Sequence, residues 1–174
     1  MNSTKGTIDF QNMNERIACA YEIASNAHEG QLDKGGHPYL EHPMAVANLV
    51  SEFYDTNYSG SDDTMGVWED ELSRDDLIVV ALLHDVLEDT DVTAEELSEK
   101  FDVHIVGALE ALTRRRGELY MEYVTRTKVN PIARLVKMAD LEHNMDISRI
   151  TNPTHQDYER IELKYKPALE FLKK

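Results

Sequence analysis

Seven consecutive apolar residues, Leu77 to Leu83, run straight into His84, Asp85, Glu88 and Asp89. No other stretch constrains the fold as strongly. The apolar run suits a buried helix, yet it ends in one imidazole and three carboxylates within six positions. Residues four apart share a helix face, which would set His84 below Glu88 and Asp85 below Asp89. Burying such groups is costly unless they are paired or bind a cation. A core helix with this ending is therefore a candidate site.

Helical periodicity governs the rest of the chain. It predicts helices over about 12–29, from 39 or 43 to 54, and over 74–88, 93–101, 103–113, 118–128, 131–145 and 154–172. Thr93 and Glu96 have the spacing of a capping box, and Pro131 suits a first helical turn. Gly30 is a reasonable stop for the first helix. Residues 55–75 read as a long acidic loop, with Trp68 as an anchor to the body. No convincing two-residue alternation and no repeat is present. The expected fold is all-α, a single-domain helical bundle spanning residues 1–174.

The charge balance narrows the partners. The chain has 33 acidic against 18 basic residues, a formal net charge of −15. Between Glu52 and Asp102 there are 17 carboxylates and only two basic residues, Arg74 and Lys100. Such a surface excludes a general binder of nucleic-acid polymers, which needs a basic face. A small phosphorylated substrate remains open, because a bound cation inverts the local field. Cys19 is the single cysteine, so no intramolecular disulfide forms. The first ten residues lack a signal-like apolar core, and no run reaches the ~20 apolar residues of a membrane span. A soluble, cytoplasmic protein without a membrane partner is expected. Nothing in the composition bears on oligomeric state.

Three places join polar ligand types to apolar flanks: Tyr39 to Pro43, His84 to Asp89, and Met138 to Met145. Helices of one bundle can aim side chains at a common centre. His42, His84, Asp85 and Asp140 would then supply two imidazoles and two carboxylates. That mixed set suits Mn²⁺, Fe²⁺, Co²⁺ or Ni²⁺ with positions open for water. A structural zinc site would more often use thiolates. His28 is read as structural and His143 as support for its own turn. His37, His104 and His155 carry no motif. The Arg114–Arg116 triplet either holds a pyrophosphate or balances a helix C-terminus, the second being the plainer account.

The order of these groups, His, then His-Asp, then Asp, resembles the signature of the HD-domain metal-dependent phosphohydrolases. The resemblance narrows further. The stretches Ala27 to Gln31, Lys34 to Ala47, Leu82 to Thr90 and Val136 to Met145 are similar to the hydrolase domain of RelA/SpoT-type alarmone enzymes. The likeness covers about residues 13–150. With no room for a synthetase domain, the chain is most similar to the small stand-alone alarmone hydrolases. The resemblance implies that His42, His84, Asp85 and Asp140 bind one Mn²⁺ ion. It implies that Glu88 and Asp89 orient or deprotonate the attacking water, and that Lys34 and Asn144 contact the nucleotide. The implied reaction is removal of the 3′-pyrophosphate from (p)ppGpp.

Two positions depart from the family pattern. A basic pair usually precedes the first loop's Ser-Gly, and here Asp33-Lys34-Gly35-Gly36 stands there. Asp33 cannot stack on a base as an arginine can. Leu141 likewise replaces an arginine after the Ala-Asp pair. These departures keep a second reading open, a phosphohydrolase of another nucleotide or phosphorylated metabolite. A third reading is a catalytically silent nucleotide-sensing HD module, against which Glu88 and Asp89 argue.

Overall fold

The computed structural model describes residues 8–57 and 72–174. It is all-α; among the described residues no strand forms, and Leu32 and Pro38 make one isolated antiparallel bridge. The helices are α1 (Glu15–Ala27), α2 (Glu41–Asn57), α3 (Arg74–Leu83), α4 (Val86–Asp89), α5 (Ala94–Ser98), α6 (Val103–Leu112), α7 (Tyr120–Val129), α8 (Pro131–Asn144), α9 (His155–Arg160) and α10 (Lys166–Lys173). A 3-10 turn (Ile147–Arg149) follows α8, and a π turn (Ile161–Tyr165) joins α9 to α10.

Local chemistry sets the boundaries. The Asn14 side chain accepts a hydrogen bond from the backbone N–H of Ile17 and starts α1. The Thr93–Glu96 capping box opens α5. Asn130 accepts from Ala133 N at 2.9 Å and Pro131 fills the first turn of α8. Each satisfies backbone donors that a helix start leaves free.

Two expectations are corrected in part. The helix expected over 74–88 is broken at His84-Asp85 into α3 and α4, although both residues keep right-handed helical angles. The polar pair leaves the ladder there, and the His84 ring turns back to the Ala81 carbonyl. The 55–75 loop is shorter than expected at both ends: α2 extends to Asn57, and α3 begins at Arg74. The rest of that loop, 58–71 with Trp68, lies outside the described residues.

The interior has two parts. The larger core gathers α1, α2, α3 and α6 around Leu77 to Leu83, all fully buried, with Ile132, Ala133, Val136 and Ala139 of α8. The smaller joins Tyr123 and Val124 of α7, Leu141 of α8, and Ala168, Leu169 and Leu172 of α10. Helix α8 belongs to both. Asp140, between Ala139 and Leu141, sits at their seam.

Candidate metal centre and its cavity

The first piece of the site comes from α2. Its first turn carries His42, 5% exposed. The end of α3 brings His84, 4% exposed, and the break after it turns Asp85 toward the same point. The third piece is Asp140 on α8. His42 Nε2 lies 3.2 Å from Asp140 Oδ1 and 3.5 Å from Asp85 Oδ2. His84 Nε2 lies 3.1 Å from Asp85 Oδ2 and 3.7 Å from Asp140 Oδ1. One ligand atom each from His42, His84 and Asp85 lies within 4.8 Å of the other two. The four residues singled out in the sequence thus converge.

The donor set fits a cation. The His84 Nδ1–H donates to Ala81 O at 2.8 Å, which leaves Nε2 as a lone pair. That nitrogen is buried and has no hydrogen-bond partner. An imidazole fixed through one nitrogen, with the other free, is the arrangement of a metal ligand. The electrostatics agree. Burial pushes the His84 imidazole down, but the Asp85 and Asp140 carboxylates outweigh it and lift it to about 10. Burial raises Asp140, but Lys137, His42 and His84 together outweigh it and hold the carboxyl well below the carboxylate range. This centre favours positive charge.

Supporting groups surround it. The Tyr39 hydroxyl donates to Asp85 Oδ2 at 2.6 Å and lies 3.4 Å from Asp89 Oδ2. The Lys137 ammonium, 15% exposed, donates to Asp140 Oδ2 at 2.7 Å. The Asn144 amide donates to Asp140 Oδ1. His143 faces His42, Nδ1 to Nδ1, at 2.7 Å with the rings stacked. Support of its own turn is therefore not its main contact. His28 is buried as expected and packs its ring on Tyr39 at 4.7 Å.

The centre opens onto a cavity of about 410 Å³. Glu88 and Asp89 stand exposed on its rim. Glu88 accepts from the backbone N–H of Arg114 at 3.1 Å. Burial and then the charge of Asp85 raise the Asp89 carboxyl. Lys34 lines the cavity, paired with Asp157 at 2.8 Å. Arg114, Arg160, Lys164, Tyr120 and Tyr165 also line it. Lys164 lies over the Tyr120 ring at 4.4 Å. Burial and then the neighbouring Lys137, Arg114 and Arg160 charges lower its ammonium. Arg160 pairs with Asp157 at 3.5 Å and Arg114 donates to the Glu118 carbonyl, so the cavity gathers several cations in a chain whose net charge is −15.

The two departures have physical accounts. Leu141 is 1% exposed and packs in the smaller core, where it adds an apolar side chain to the cavity lining in place of a charge. Asp33 does not present a free negative charge. Its carboxylate accepts from Gly35 N and His37 N at 2.8 and 2.9 Å and pairs with Arg149 at 3.0 Å. Residue-by-residue reading missed Tyr39, Arg149, Lys164 and the pairing of His143. Lys137, three before Asp140, has a helical spacing that sets it one turn away, but its face is not fixed by the sequence. Arg149 and Lys164 had no such signal.

Comparison with known proteins agrees with this geometry. The family described as HD domain matches residues 20–138, a stretch that includes His42, His84 and Asp85. A probable GTP pyrophosphokinase of Mycobacterium leprae is 35% identical over 146 residues, covering 79% of this chain and 16% of that protein. A guanosine-3′,5′-bis(diphosphate) 3′-pyrophosphohydrolase of Aquifex aeolicus is 32% identical over 139 residues, covering 75% of this chain and 17% of that protein. The chain therefore spans about a sixth of the length of these relatives. Among solved structures, a metazoan ortholog of SpoT described as hydrolysing ppGpp superposes with a TM-score of 0.68. It shares 21% identity and covers 92% of this chain and 87% of its own, which shows a common fold.

Proposed function

Since the chain belongs to the HD-domain family, we propose that it is a metal-dependent phosphohydrolase that removes the 3′-pyrophosphate of a (p)ppGpp-like nucleotide. The observation that carries this is one cavity lined both by His42, His84, Asp85 and Asp140 and by the cations Lys34, Arg114, Arg160 and Lys164. Residues 1–174 act as a single HD-type domain. The substrate is a small nucleotide rather than a nucleic-acid polymer, and the protein works in the cytoplasm.

His42, His84, Asp85 and Asp140 hold the ion, and Mn²⁺ suits their mixed nitrogen and oxygen set. A divalent ion in such a site polarises the phosphoryl group and acidifies water. The protein's own groups do the rest. Tyr39 and Lys137 each occupy one oxygen of a ligand carboxylate and hold it in orientation. Asp89, raised in affinity for a proton, and Glu88 beside it take the proton of the attacking water. The water oxygen bonds to the phosphorus attached to the 3′ oxygen. The bond from that phosphorus to the 3′ oxygen breaks, its electron pair stays on that oxygen, which takes a proton from solvent, and pyrophosphate leaves. Lys34, Lys164 and Arg160 neutralise the phosphates, and Asn144 contacts the nucleotide while braced on Asp140.

A second reading, hydrolysis of another phosphorylated nucleotide or metabolite, is favoured by Asp33, which is committed to Arg149 and offers no stacking plane. One experiment separates the readings. The Mn²⁺-loaded protein is incubated with ppGpp, pppGpp, an adenine analogue and simple 5′- and 3′-nucleotides, and the products are identified. Pyrophosphate release from ppGpp is expected. Release from the adenine analogue alone would move the assignment to the second reading. Binding without release from any substrate would move it to a silent sensor.

A further inference from the structure

Asp33, Arg149, His143 and His42 form an unbroken chain of contacts that ends at the candidate metal centre. Arg149 Nη2 donates to Asp33 Oδ2 at 3.0 Å. Arg149 Nη1 lies 2.9 Å from His143 Nδ1 and 3.3 Å from the His143 carbonyl oxygen. His143 Nδ1 lies 2.7 Å from His42 Nδ1. His42 Nε2 faces Asp140 and Asp85.

Donor and acceptor roles along this chain follow from one fact: a guanidinium only donates. With Arg149 donating to it, His143 Nδ1 carries no proton and acts as an acceptor. The second nitrogen at that acceptor, His42 Nδ1, must then bring the proton. A neutral imidazole protonated on Nδ1 has its lone pair on Nε2, the atom aimed at the centre. Asp33 fixes where the guanidinium stands. Its own carboxylate is held by the backbone N–H groups of Gly35 and His37. The two segments are in close approach, since a Cβ on Gly35 would fall 2.5 Å from the Arg149 carbonyl oxygen.

We propose that Asp33 and Arg149 are positioning residues for metal binding: the Asp33–Arg149 pair, acting through His143, sets the tautomer in which His42 presents Nε2 to the ion. The inference rests on the metal-site reading of His42. It assigns the Asp33 position a task in holding the ion, where an arginine there would face the base. Outer partners of ligand histidines typically change metal affinity by about 10- to 100-fold.

The test has two arms. Metal-free protein is titrated with Mn²⁺ and free ion is followed by electron paramagnetic resonance. Arg149→Met should weaken binding by about 10- to 100-fold. Asp33→Asn keeps an oxygen for Gly35 N and His37 N but loses the charged partner of Arg149, and should weaken binding in the same direction. The double variant should match Arg149→Met alone, because Asp33 acts through Arg149. Additive losses, or unchanged affinity in folded Arg149→Met, would overturn the proposal. The second arm uses the parent protein and does not depend on the variants folding. Imidazole ¹⁵N shifts should show the metal-free protein with His42 protonated on Nδ1 and His143 on Nε2. The opposite tautomers would overturn it. A parent that binds no divalent ion would instead sink the metal-site reading itself, so the two failures are distinguishable.

Discussion

Lys137 and Asp140, three residues apart on α8, form a largely buried ion pair in which one carboxylate oxygen is neutralised and the other is left facing the two imidazoles. The split is useful chemically. A carboxylate with both oxygens in the centre would add charge there without constraint on its rotation. Lys137 also lies 5.2 Å from the centre of the Tyr123 ring, so its ammonium is enclosed by both a charge and a π face.

Removing Lys137 should therefore make stability depend on the ion. Lys137→Met leaves Asp140 buried without its partner, and breaking a buried pair typically costs about 3–5 kcal/mol. Urea unfolding in EDTA should show that loss, while saturating Mn²⁺ should restore part of it. Equal losses in EDTA and in Mn²⁺ would contradict the assignment of Asp140 as a ligand.

Glu88→Gln should separate chemistry from metal binding. The amide oxygen can still accept from Arg114 N, so the α4 end and the following loop should stay in place. Turnover should fall by about 10²- to 10⁴-fold, the usual size of a lost general base. Mn²⁺ affinity should change little. Full turnover in the metal-loaded variant would remove Glu88 from the water-handling role and leave Asp89 alone in it.

Acid should loosen the loop between α6 and α7 before the cores. Arg126 binds both carboxylate oxygens of Glu118 at 2.8 and 2.9 Å and also donates to the carbonyls of Glu110, Ala111 and Thr113. The Arg126 bond holds the Glu118 carboxyl down to about 2, below its ordinary 4.5. A depressed carboxyl contributes stability above its unfolded pKa and loses it as pH falls toward the folded one. The window is therefore about pH 4.5 to 2. Urea midpoints of the parent and of Glu118→Gln should differ at pH 7 and converge as pH falls through that range. A gap that persists at pH 2 would contradict this.

Removal of the ion should destabilise the parent and leave His84→Ala unaffected. A ligand present at 100 times its Kd adds about 2.7 kcal/mol. EDTA should lower the parent's melting temperature, and Mn²⁺ should restore it. His84→Ala, which lacks a ligand nitrogen, should melt at the same temperature in both buffers. A metal-dependent shift that survives in His84→Ala would place the ion elsewhere.

The convergence of the four candidate ligands was legible before the fold because each lies beside an apolar stretch of a predicted helix. His42, His84, Asp85 and Asp140 join polar ligand types to apolar flanks, and the structure brings all four together. The all-α class followed from the same periodicity. What could not be read was whatever depends on the final quarter of the chain meeting the first loop. Arg149 and Asp33 are 116 positions apart, and Asp157 is 123 from Lys34. No local period links such pairs, so Asp33 read as an uncompensated loss of an arginine. The break at His84-Asp85 was also hidden, because both residues retain helical angles and only the hydrogen-bond ladder fails.

The shared helix α8 has a mechanical consequence. Helices α2 and α3, which bring in His42 and His84, pack in the larger core, whereas Arg160 and Lys164 stand in the segment that leads into α10, the helix packed in the smaller one. In native-state hydrogen exchange, amides of 166–173 should open at lower free energy than those of Leu77 to Leu83, because less buried apolar surface holds them. The segment carrying Arg160 and Lys164 is thus expected to open without global unfolding. On the proposed function, entry and departure of a charged ligand need only that segment to open, while the candidate metal centre keeps its place beside the core that opens last.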